Sequence, residues 1–294
     1  MKIFKNPKIL LITSMVVFGT IGLFVKFIPL SSGEIALYRA ILATILLGLF
    51  LVVTKQKINF KEIKKDIPIL VASGIAMGIN WILLFEAFNY TTVSVATLSY
   101  YFAPVIVTIV SPILFKEKLT TKQIICFVAS TIGLVLLTGI GDLSGGSSHL
   151  KGILFGLSAA LFYATVVLLN KYIKGVSGIN RTFLQFVSSL IVLVPYVLFT
   201  SGFNLGSLNS TGLICLLVVG VIHTGVCYCM YFSSLKELKG QVVAILSYID
   251  PLVAVIVSLV FLKESMNMLQ IIGGVLILGF SILNEVSFKK NNTK

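Results

Sequence analysis

The chain has 294 residues, 57% of them hydrophobic and 11% charged, with a mean hydropathy of +1.05 and a net charge of +13. A water-soluble domain of this size carries roughly twice that share of charge, so the composition excludes a soluble enzyme or binding module and implies a polytopic membrane protein. The lysine excess does not mark a nucleic-acid partner, because the basic residues fall in short segments between apolar runs, where they act as topology signals.

Ten membrane-spanning helices are predicted, at 8–28, 34–54, 67–90, 94–115, 122–139, 150–172, 180–200, 211–233, 240–262 and 268–286. No small-residue cleavage pattern follows the first run, which is read as a retained helix. The second carries Arg39 inside it, and Glu34 at its start is expected to be a solvated helix-start residue. The third holds Asn80 and Trp81 in mid-helix, with Glu86 one turn from its end. The fourth holds Tyr101 and Pro104, and the fifth reaches a Gly/Ser-rich linker around 142–152. In the second half, the eighth helix carries His223 near its centre and the ninth carries Asp250 and Pro251. Glu285 marks the end of the tenth. Gly74-x3-Gly78 and Gly152-x3-Gly156 predict close helix approach. Cys126, Cys215, Cys227 and Cys229 all lie within apolar runs, which argues against a disulfide framework.

Counting Lys and Arg along this frame fixes the expected orientation. Nineteen of the 23 fall in segments on the side of the N-terminus; three, Lys26, Lys151 and Lys263, fall on the other side, and Arg39 lies within a helix. That asymmetry predicts both termini in the cytoplasm and an even number of helices in a prokaryotic cytoplasmic membrane.

Residues 85–125 and 232–272 align without a gap at an offset of 147, half the chain. Tyr101 matches Tyr248, Pro104 matches Pro251, Ser111 matches Ser258, Lys116-Glu117 matches Lys263-Glu264, and Gln123 matches Gln270. A five-helix unit enters the membrane in opposite senses when repeated, so two inverted five-helix repeats are expected, at 8–140 and 150–286. The five-plus-five layout, the opening FGTIGLFVKF and SSGEIALYRAILA, and the Pro-x6-Ser-x4-Lys-Glu frame resemble the EamA-type transporters of the drug/metabolite transporter superfamily. The resemblance covers nearly the whole chain. It implies an all-α basket of ten helices around a central cavity, and a secondary transporter that exports amino acids or related small polar metabolites. A flippase for a lipid-linked carrier, or an accessory subunit of the same fold class, is the alternative. The second repeat departs from the first at Arg39, opposite which the alignment puts Gln185.

An ionised carboxylate facing lipid at mid-membrane costs about 2.5–3.5 kcal/mol or more, so Asp250 is expected to face the interior, lining a wet cavity or bonding a neighbouring helix. Pro251 and Pro104 each open the backbone of the preceding turn, and opened backbone in paired helices points to a binding site. His223 is read either as a proton-carrying partner of Asp250 or as a satisfied interior histidine. Asn80, Trp81, Tyr101 and Tyr248 are the remaining cavity candidates, and Tyr228 and Tyr231 are further aromatic walls. Arg39 and Glu86 are expected at similar depth and are read as a charge pair, either an outer gate with a seat for a substrate carboxylate or a static packing bond. The expected partners are a small-molecule substrate, the lipid bilayer and, through Asp250 and His223, protons. His223, Cys227 and Cys229 complete no metal cluster, and no nucleotide loop or hydrolase triad is present, so no cofactor and no enzymatic activity are expected.

Overall fold

The computed structural model describes residues 6–56, 58–115, 120–137, 146–176, 178–235, 237–238 and 240–286. Inside hydrocarbon every backbone N–H and C=O must be satisfied within its own segment, which a helix does. The described residues form helices throughout: α1 (Pro7–Gly19), α2 (Ile21–Val25), α3 (Ser32–Val53), α4 (Ile67–Tyr90), α5 (Val93–Tyr100), α6 (Ala103–Phe115), α7 (Thr121–Leu137), α8 (Gly146–Asn170), α9 (Gly178–Phe199), α10 (Ser210–Leu217), a π-helical segment (Val218–Val226), α11 (Cys227–Leu235), α12 (Gly240–Ser247), α13 (Ile249–Val260) and α14 (Met268–Glu285). Eight spans among them are long and apolar enough to cross a membrane, and Thr121–Leu137 and Ile245–Val260 are shorter apolar helices. Large apolar side chains such as Val53, Phe199, Ile113 and Val275 stand exposed on the outside, as a lipid-facing surface requires. The protein is thus an all-α, polytopic membrane protein. Lys116-Glu117 and residues 142–145 of the Gly/Ser-rich linker lie outside the described residues.

Three of the runs expected to be continuous are broken. The first divides at Thr20, between α1 and α2. The other two divide beside the prolines. Between α5 and α6, Tyr101 has φ −72° and ψ 6°; between α12 and α13, Tyr248 has φ −73° and ψ −4°. The two breaks therefore share one backbone conformation at positions matched in the sequence. Each comes three residues before a proline whose missing N–H cannot continue the ladder.

Small residues let the helices close on one another. A Cβ on Gly74 would lie 2.4 Å from Ser188 Cβ and 2.5 Å from the Gln185 carbonyl, so α4 meets α9 nearly backbone to backbone. On the other flank, a Cβ on Gly133 would lie 2.7 Å from the Gly273 carbonyl, and one on Gly273 would lie 2.5 Å from the Gly133 carbonyl, which locks α7 against α14. The main apolar core gathers Leu37, Leu47, Phe85, Phe88, Phe186 and Leu193 from α3, α4 and α9. A second cluster joins Leu98, Leu137, Ile153 and Ile277 with Tyr248 at the α12–α13 break. Both cores flank the broken helices and leave a space between them.

Candidate functional site

That space is a cavity of about 720 Å³. It runs from Thr97 and Phe88, near one end of the bundle, to Leu238 and Glu285, at the end where the described chain begins and finishes. Tyr100, Tyr101, Tyr163, Tyr228, Tyr231 and Tyr248 line it together with Trp81, so the walls are aromatic with polar tips. Among the described residues of the lining, Arg39 is the one cation, and Asp250 and Glu285 are the two carboxylates.

Asp250 sits in the first turn of α13, directly after the Tyr248 break, and faces the cavity. The Tyr101 hydroxyl, from the matching break, donates to Asp250 Oδ2 at 2.5 Å. One hinge residue thus holds the carboxylate that follows the other. Pro104 also lines the cavity, whereas Pro251 is buried beside it in the helix.

Arg39, 5% exposed, projects from α3 and lines the same cavity. Its Nε donates to Thr224 Oγ1 at 2.7 Å, and its guanidinium lies 4.5 Å from the centroid of the Trp81 ring and 5.6 Å from that of Phe85. The expected pair with Glu86 is not made. The helix starts at Ser32, two residues earlier than the sequence suggested, so Arg39 lies deeper; Ser32 is the residue that reaches Glu86, donating to its Oε2 at 2.5 Å, and Asn89 donates at 3.4 Å. Glu34 is also corrected: it is buried, closes a capping box with Ser31 and accepts the Asn204 N–H at 2.7 Å.

Two other candidates turn away from the cavity. His223 is buried in the π segment, with Nδ1 3.2 Å from the Val218 carbonyl and Nε2 2.8 Å from the Thr20 hydroxyl, so it makes no pair with Asp250. Its position follows from the α1–α2 break, which brings Thr20 within reach. Asn80 is buried and donates to the Ala159 carbonyl at 2.6 Å, tying α4 to α8. Gln185, aligned with Arg39, is likewise buried, donating to Ser73 and Asn170 at 2.6 and 2.8 Å. Of the residues expected at the cavity, Trp81, Tyr101, Tyr228, Tyr231, Tyr248 and Asp250 line it.

Sequence reasoning missed Thr224 and Glu264. Thr224 is a polar residue inside an apolar helix, next to Gly225, which was the available signal. Glu264 follows α13 and accepts the N–H of Val93, the first residue of α5, at 2.8 Å and the Ser258 hydroxyl. It was legible as half of the Lys-Glu repeat, but its partner on α5 was not.

The model of the EamA-like transporter family matches residues 7–139 and 150–284. The chain belongs to the EamA-like transporter family. An uncharacterized transporter of Bacillus subtilis, YxxF, is 33% identical over 272 residues, 91% of this chain and 85% of that protein. An uncharacterized transporter of Archaeoglobus fulgidus is 33% identical over 195 residues, 65% of this chain and 67% of its own. Protein PecM of Dickeya dadantii is 26% identical over 220 residues, covering 73% of this chain and 72% of PecM. One crystal structure superposes with a TM-score of 0.63 over 94% of this chain and 96% of its own at 13% identity, which is a likeness of fold alone. As an EamA-like protein, the chain is a multi-pass membrane transporter.

Proposed function

We propose that this EamA-like transporter is a secondary carrier of small polar metabolites, exporting amino acids or related compounds across the cytoplasmic membrane, with proton coupling through Asp250. The observation that carries the reading is the charge arrangement of the cavity: Arg39 and Asp250, opposite in sign, face one space walled by tyrosines. A zwitterion or a polar molecule with an amine and an acid would find a complement at both ends. Reconstituted protein is expected to accelerate counterflow of at least one amino acid or related compound in a screen that also holds amines and nucleotides. Failure with every soluble compound, with movement of a lipid-linked one instead, would favour the flippase alternative.

The proposed architecture is two inverted five-helix repeats, 8–140 and 150–286, with both termini in the cytoplasm. The like conformation of the two breaks at Tyr101 and Tyr248 supports it, as does the charge asymmetry of the loops. In a background lacking the four cysteines, Ser147→Cys is expected to react with an impermeant thiol reagent applied to intact cells. Labelling that needs permeabilised cells would reverse the orientation.

A further inference from the structure

Arg39 is held in an unusual way for a buried cation. Its Nε is spent on Thr224, and its guanidinium carbon lies over the Trp81 ring. The two terminal amino groups make no hydrogen bond with any described residue, and the side chain lines the cavity. Burying a charge with unused donors is costly, so a fold that props such a group in place leaves it poised for a ligand.

The prop comes from the π segment. Thr224 donates its one hydroxyl proton to the Val219 carbonyl, five residues back, at 2.8 Å. The oxygen is thereby left as an acceptor, aimed at Arg39 Nε. With Nε held by Thr224 and the guanidinium carbon over Trp81, the two terminal nitrogens are the donors left for the cavity that Arg39 lines. A planar carboxylate matches such a pair of donors with two parallel hydrogen bonds. A dianionic phosphate fits poorly, because Arg39 is the single cation among the described lining residues and two carboxylates share the space with it.

We propose that Arg39 is the subsite for a carboxylate on the transported molecule and that Thr224 is its positioning residue. This rests on the reading of the cavity as the substrate site. Trp81, the one tryptophan in the chain and the ring under the guanidinium, supplies a native reporter. The experiment is a titration of Trp81 fluorescence in purified full-length protein, using a panel of free amino acids and short organic acids and, as matched controls, their amides. Acids are expected to change the emission saturably and amides are not. Thr224→Val should weaken the apparent affinity about tenfold, as the loss of an oriented charged hydrogen bond does, with Thr224→Ser restoring it. Arg39→Lys, which keeps the charge and loses the fork, should abolish the response. An equal response to amides, no response to any acid, or an unaltered affinity in Thr224→Val would each overturn the proposal. The ligand-side comparison needs no variant, so a folding defect in Arg39→Lys does not rescue it. Counterflow of a compound whose amide binds equally well would overturn the subsite and leave the carrier reading intact.

Discussion

Asp250→Asn is expected to lower coupled transport by about an order of magnitude or more while leaving the protein folded. The amide keeps the volume of the carboxylate, and its carbonyl oxygen still accepts from the Tyr101 hydroxyl that now donates to Oδ2 at 2.5 Å. What it loses is the charge facing the cavity and the capacity to bind and release a proton. Tenfold corresponds to about 1.4 kcal/mol, a modest demand on a charged contact with a substrate amine. Two readouts separate the roles. If Asp250 couples transport to protons, the pH profile flattens in Asp250→Asn while exchange of substrate across the membrane persists. Where Asp250 only holds Tyr101, rate and pH profile stay at wild-type levels. Asp250→Ala differs again, since it strands the phenol without an acceptor, at about 1–3 kcal/mol, and is expected to reduce thermal stability as well.

The broken helices show what the sequence carries and what it does not. Proline is a local signal: Pro104 and Pro251 cannot take part in the ladder, so a fault in the preceding turn was legible, and both faults lie where the repeat aligns Tyr101 with Tyr248. The fault at Thr20 has no proline, and Thr20 there meets His223 across 203 residues, a contact no local pattern announces. The π segment is similar. Its extra residue per turn is visible only once Arg39 and Thr20 occupy the hydroxyl and imidazole it displays. For the same reason the sequence put Arg39 beside Glu86: depth along a helix follows from counting residues, but which neighbour it faces depends on rotation and on where the helix starts. Two residues at Ser32 changed both. Apolar runs and prolines are one-dimensional patterns and survive translation into structure; partnerships of buried polar groups are products of packing and do not.

Glu264→Gln is expected to loosen the end of the bundle at which α13 meets α5. Glu264 joins the end of α13 to the start of α5, taking the Val93 N–H at 2.8 Å and the Ser258 hydroxyl. A carboxylate at a helix N-terminus satisfies an orphan donor and complements the helix dipole. Lys26, donating to the Phe88 carbonyl at the same end, and the Ser32–Glu86 contact add further ties there. These ties gather α2, α3, α4, α5 and the segment after α13 at one end of the cavity. A bond made in one state alone shifts the balance between states by its own worth. Hydrogen bonds to a charged group contribute about 1.5–3 kcal/mol, so neutralising Glu264 should favour the state in which this end is parted by roughly ten- to hundredfold. Thr97 lines the cavity one turn inside Val93 and is 7% exposed. In a cysteine-free background, Thr97→Cys should react slowly with an impermeant maleimide added from the fastened side, and at least about tenfold faster once Glu264→Gln is added, because the population that exposes it rises by that factor. Equal labelling rates with and without the Glu264 change, in protein of normal stability, would mean that the contact with Val93 is made in both states and that the fastening lies elsewhere at that end.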